Sequence, residues 1–87
     1  MKQQKIKRDE LLARNIRRIR LREDCGVEEL ARKMQLEGCD ITRQTIVKIE
    51  AGVRHVSIEE LFAIKEAFST TWDDIFDFEG GNDQWNS

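Results

Sequence analysis

At 87 residues the chain is one small domain, and its proline-free sequence sets apolar side chains three and four apart, which excludes a multidomain protein and disfavours a sheet. Its net charge of −2 argues against a nucleic-acid partner, but the charge is unevenly spread: residues 1–33 carry eleven Lys or Arg against six acids, residues 34–87 four against eleven. A phosphate backbone would feel the basic third whatever the total, although a solvated basic helix facing an acidic one gives the same pattern.

Residues 1–8, "MKQQKIKR", read as a flexible basic arm. Asp9 is placed to cap a first helix running to about Arg22. Leu12, Ile16 and Ile19 share one face of it, and Arg14, Arg17, Arg18, Arg20 and Arg22 cover the rest. "DCGV" breaks the pattern. A second helix spans about Val27 to Glu37, with Leu30, Ala31, Met34 and Leu36 turned inward and Gly38 just past its end. Thr42 then caps a third helix over residues 43–51, which Ala51-Gly52 closes.

"SIEE" at 57–60 has the form of a capping box, in which the Ser57 hydroxyl and the Glu60 carboxylate each accept from a backbone N–H of the other residue. The fourth helix it starts runs to about Phe68, with Ile58, Leu61, Phe62, Ile64 and Ala67 as expected core. Thr71 caps a short fifth helix carrying Ile75, Phe76 and Phe78. Residues 79–87, "EGGNDQWNS", read as a flexible tail. The expectation is an all-α, compact five-helix bundle over residues 9–78.

The segment that carries chemistry is "ITRQTIVKIEAG", Ile41 to Gly52. On a helix, Ile46 and Ile49 face one way and Arg43, Gln44, Val47 and Lys48 the other. Arg43 can place two N–H groups on guanine O6 and N7, and Gln44 can bond adenine N7 and N6. Each such pair is worth about 1–3 kcal/mol of base discrimination. Lys48 suits guanine or phosphate, and Val47 suits a thymine methyl. Thr42, with the first N–H groups of the helix, makes a phosphate site. Arg17, Arg18 and the arm residues Lys2, Lys5, Lys7 and Arg8 would add attraction without sequence information. The plain alternative is that all of these are ordinary exposed side chains.

"NIRRIRLRED", "VEELARKM", "TRQTIVKIEAG", "SIEELFAIKEAF" and "TWDDIF" occur in the order found in Cro/C1-type helix-turn-helix regulators, the Xre family, which the chain resembles from roughly Leu11 to Phe78. The resemblance implies a lambda-repressor-like fold and double-stranded DNA as partner. It puts Arg43 and Gln44 at base-contacting positions, Lys48 at a base or phosphate position, Thr42, Thr45 and Arg54 near phosphate, and Glu50 at a structural acid. It also implies a homodimer on a pseudo-palindromic operator, with the ends of the fourth and fifth helices (Phe68, Trp72, Ile75, Phe78) as the dimer surface. Two departures stand out. Between Ala31 and Ile46 lie about five residues more than the motif usually holds, so an extended second helix or a longer turn is expected. Gly26 and Val27 also replace the usual Ser and Gln at the start of that helix.

Nothing in the sequence favours an enzyme. His55 is the single histidine, no C-x-x-C or H-x-x-x-H pair suggests a metal, and no phosphate loop or cofactor motif is present. Cys25 and Cys39 are expected as reduced thiols in a cytoplasmic protein, since neither a secretory signal nor a membrane-spanning run is recognisable. The main reading is therefore a sequence-specific transcriptional regulator of repressor type. The rival is a protein-interaction module, such as the antitoxin of a toxin–antitoxin pair or a regulatory adaptor, docking through the acidic stretch from Glu59 to Glu79.

Overall fold

The computed structural model describes residues 8–78, which form helices α1 (Arg8–Arg22), α2 (Val27–Leu36), α3 (Arg43–Glu50), α4 (Ile58–Phe68) and α5 (Trp72–Ile75). No strand occurs among the described residues. The tail expectation over residues 79–87, and the arm expectation over residues 1–8 except at Arg8, fall outside the described part. Arg8 is already helical, so Asp9 lies in the first turn of α1 rather than capping it. There it and Glu10 still suit the positive end of the helix dipole.

The core is assembled from one stripe of each helix. Ile16 and Ile19 of α1, Leu30 and Met34 of α2, Ile46 of α3, Ile64 of α4 and Ile75 of α5 are its largest fully buried side chains. Burying an aliphatic side chain of this size contributes about 1.5–3 kcal/mol, so seven of them meeting in one place define the fold. α2 packs against α3 and α4, and α1 lies across α3, α4 and α5.

Helix ends are fixed by the residues that the spacing indicated. Gly38 and Gly52 adopt φ of +90° and +79°, the left-handed conformation that a side chain disfavours. Each closes a two-bond C-terminal motif: Gly38 N–H to Gln35 O and Cys39 N–H to Met34 O after α2, Gly52 N–H to Ile49 O and Val53 N–H to Lys48 O after α3. The Ser57–Glu60 capping box is complete, and Thr71 accepts from the Asp74 N–H.

Several inward assignments are overturned. Leu36 is 86% exposed: it is the last residue of α2, two positions round from the buried Met34. Ile58 and Phe62 are exposed at 68% and 54%, while Ala63 and Glu60 are buried in their place. The inner stripe of α4 runs through Leu61 and Ile64. Ile58 opens the helix, and Phe62 sits one residue, or about 100°, round from Leu61. Phe76 is mostly outside the core, and Phe78 is half-buried. Arg20, grouped by sequence with the solvated arginines of α1, is buried instead.

Buried polar groups are paired throughout: no buried side-chain N or O among the described residues lacks a hydrogen-bond partner. Asn15 donates to Ile75 O (2.8 Å) and Asp77 O (3.2 Å), anchoring the end of α5 to α1. Asp74 reinforces that join by accepting from Arg22 (2.8 Å), Thr70 (2.6 Å) and Arg18 (3.1 Å). Burial pushes the Asp74 carboxyl up, but the hydrogen bonds from Arg22, Thr70 and Arg18 outweigh it and bring it to about 2, below its ordinary 3.8.

A carboxylate whose pKa is lowered on folding stabilises above its unfolded pKa and loses that contribution as pH falls through the folded value. Asp74→Asn is therefore expected to cost about 1–2 kcal/mol at neutral pH, after allowance for the half-exposed arginines, with the gap to wild type closing between about pH 4 and 2. Urea unfolding of both proteins across that range measures it.

Candidate nucleic-acid interface

α3 is an eight-residue helix with a polar outer face and two apolar anchors. Ile46 and Ile49 are buried at 2% and 3%, so the rotation of the helix about its axis is fixed. That rotation leaves Arg43, Gln44, Val47 and Lys48 exposed on the outside. The side chains of Gln44 and Lys48 hold no hydrogen bond or ion pair among the described residues, so both are available to a ligand.

The start of α3 is capped by a pair of threonines. The Thr42 hydroxyl accepts from the Thr45 N–H at 3.3 Å and lies 3.2 Å from the Thr45 hydroxyl, so both threonines sit at the helix mouth. The first turn of α3 carries no acid, so its dipole end is not neutralised from within the helix.

α1 holds the far end of α3. Glu50, the last residue of α3, takes two hydrogen bonds from Arg20, at 2.7 Å from Nε and 2.8 Å from Nη2. Arg20 Nη1 also donates to the Cys25 carbonyl at 2.9 Å, in the turn before α2. The Glu50 hydrogen bonds raise the pKa of Arg20 against the opposing effect of burial. Arg17, one turn earlier on α1, approaches the same carboxylate at 3.8 Å with its side chain 59% exposed. The pair thus fixes α3 and also leaves a second guanidinium at the surface beside it.

Arg54 follows α3 in the linker to α4. Glu60 grips it through two hydrogen bonds of 2.9 and 3.0 Å, and its Nη1 also donates to the His55 carbonyl. Burial pushes the Glu60 carboxyl up, and the hydrogen bonds from Arg54 and Ser57 bring it below its usual value. Arg54 is therefore a clamp of the linker as well as a surface cation. His55, 84% exposed, lies 2.7 Å from Asp9 and ties the linker to the start of α1.

Residues 37–42, between α2 and α3, account for the longer connection. The two-bond motif at Gly38 begins it, and Gln35 Nε2 donates to Ile41 O at 2.7 Å, pinning its far end. Ile41 is buried at 3%. The extra length is therefore a tethered turn rather than a loose loop.

A helix-turn-helix family model matches residues 16–75, most of the chain. The chain is a Cro/C1-type helix-turn-helix protein. Its family is one of DNA-binding regulators, and α2 and α3 are the two helices of the motif. Comparison with curated proteins and with solved structures finds no match to either.

Sequence reasoning missed three members of this region. Arg20 follows the inward stripe at four residues from Ile16, a spacing that marked it for burial. Glu60, read only as half of a capping box, also grips Arg54. Glu28 meets Arg43 across the motif, its Oε2 3.6 Å from Arg43 Nε, and no linear signal connects two residues of different helices. Among the described residues no group of three or more His, Cys, Asp or Glu is placed to hold a metal. Cys25 and Cys39 are free thiols, both pushed up by burial.

Glu50→Ala leaves the Arg20 guanidinium buried without its partner and is expected to cost about 3–5 kcal/mol, whereas Arg20→Met combined with Glu50→Leu should recover most of it. Chemical denaturation of the three proteins checks both parts.

Proposed function

We propose that the protein is a sequence-specific double-stranded-DNA-binding transcriptional repressor, acting in the cytoplasm, that inserts α3 into the major groove. The observation that carries this reading is the outer face of α3, where Arg43, Gln44 and Lys48 project together beside an acid-free helix start. Arg43 reads guanine, Gln44 reads adenine, Lys48 contacts a base or phosphate, and Val47 meets a thymine methyl. Thr42, Thr45, Arg17 and Arg54 hold the phosphates to either side and set the helix in register.

A single module of this size buries about 600–1,000 Å² on DNA, so tight binding calls for a dimer on a pseudo-palindromic operator with half-sites one helical turn apart. The dimer surface expected from the resemblance needs revision, because Ile75 is fully buried and unavailable. The apolar surface at that end of the molecule is instead made by Ile58, Phe62, Trp72 and Phe76. Trp72 meets Phe62 edge-on at 5.0 Å and stacks on Phe76 at 5.8 Å, so the patch is pre-ordered at low entropic cost. A second copy of the chain is the occupant proposed for it.

Selection from a random duplex pool at low salt, followed by electrophoretic shift at rising salt, tests the DNA reading. Arg43→Ala and Gln44→Ala should each relax one base position by about 1–3 kcal/mol. Failure to retain any duplex at low salt would reject it and leave the protein-interaction module. Sedimentation tests the dimer: Phe62→Glu, on the outer side of α4, should shift the protein to monomer and weaken operator binding without changing its base preferences.

A further inference from the structure

Glu28 and Arg43 face each other across the helix-turn-helix, on the first turn of α2 and at the first residue of α3. Arg43 approaches Glu28 most closely through Nε, 3.6 Å from Oε2. The side chains are 50% and 70% exposed, so the pair stands in solvent. Among the described residues it is the one ion pair that joins α2 to α3.

We propose that Glu28 is a specificity-determining positioning residue for Arg43. The inference rests on the reading of α3 as the base-reading helix. A guanidinium carries five N–H donors in a planar fork. With its Nε edge turned to a carboxylate, the two Nη groups at its tip are left to meet guanine O6 and N7 as a pair. Such a pair is worth little in water. On docking, DNA displaces water from it, and the same charges interact in a lower dielectric. The aimed arginine then loses less side-chain freedom when it meets guanine.

The same carboxylate acts against binding where no guanine is offered. On non-specific DNA, Arg43 would turn to a phosphate, which leaves Glu28 facing the backbone unpaired. Like-charge proximity then weakens those complexes more than the specific one. Val27, where the motif usually supplies a glutamine, has no polar group to offer, so Glu28 is the side chain of this turn that reaches Arg43. Arg17, one of the cations proposed for phosphate, is partnered by Glu50 instead and does not compete for Glu28.

The test is a base-preference profile by selection from random duplexes, with non-specific affinity measured beside it, for wild type, Glu28→Gln, Glu28→Asp and Arg43→Ala. Arg43→Ala should lose the guanine preference at one position. Glu28→Gln should lower the guanine preference at that position by about three- to tenfold and leave the others unchanged, while raising non-specific affinity by a similar factor. Glu28→Asp, which keeps the charge but shortens the reach, should lower the preference and leave non-specific affinity near wild type. If Arg43→Ala loses its position but Glu28→Gln keeps the wild-type profile, the proposal falls and the reading of α3 stands. An even loss at every position in Glu28→Gln also overturns it, since that marks a structural effect. If Arg43→Ala keeps the full profile, the base-reading role of Arg43 fails and the proposal fails with it.

Discussion

The buried pair of Arg20 and Glu50 is the constraint on which the arrangement of α1, α2 and α3 depends. It joins the last turn of α1 to the last turn of α3 and, through the Cys25 carbonyl, to the turn that launches α2. Both helices of the motif are thus referred to one guanidinium on α1. Two charges removed from water are costly, and their attraction repays that cost only when the geometry is good and the remaining donors are used. Here Nε and Nη2 meet the two carboxylate oxygens while Nη1 takes a carbonyl. An apolar contact at this place would stabilise as well but is less directional. The planar fork holds its partner in one orientation.

The remaining polar links extend the same scheme. Asn15 and Asp74 lock α5 to α1, and Glu60 locks the linker after α3 through Arg54. α1 is therefore a hub whose inner stripe packs the core while its flanks hold the ends of α3 and α5. This explains why a chain so rich in arginine has so few arginines at liberty. Arg18, Arg20, Arg22 and Arg54 all hold carboxylates, so part of the arginine charge goes into structure. Arg43, Lys48 and, beside α3, Arg17 keep exposed side chains.

Much of this was legible beforehand. Helix number, order and approximate ends followed from three- and four-residue apolar spacing, from Thr42, Ser57 and Thr71 as caps, and from Gly38 and Gly52 as stops, since each of these acts over a few residues of chain. The outer face of α3 was legible for the same reason: once Ile46 and Ile49 are assigned inward, helical geometry puts Arg43, Gln44, Val47 and Lys48 on the other side. The errors share a cause. Leu36, Ile58 and Phe62 are apolar and lie at helical spacing, yet whether a neighbour covers them depends on where α2 and α4 end relative to each other.

What the sequence by itself determined is thus the set of helices, the centres of their inner stripes, the family and the residue types on the outer face of α3, because local backbone preferences and periodicity decide those. What only the tertiary structure decided is which charges are spent inside and which remain. Arg20 with Glu50, Arg54 with Glu60 and Arg43 with Glu28 lie 30, 6 and 15 residues apart and, except for the second, on different helices. Pairing at such distances is set by how the helices cross. Side-chain charge is written in the sequence, but its partner is chosen by packing.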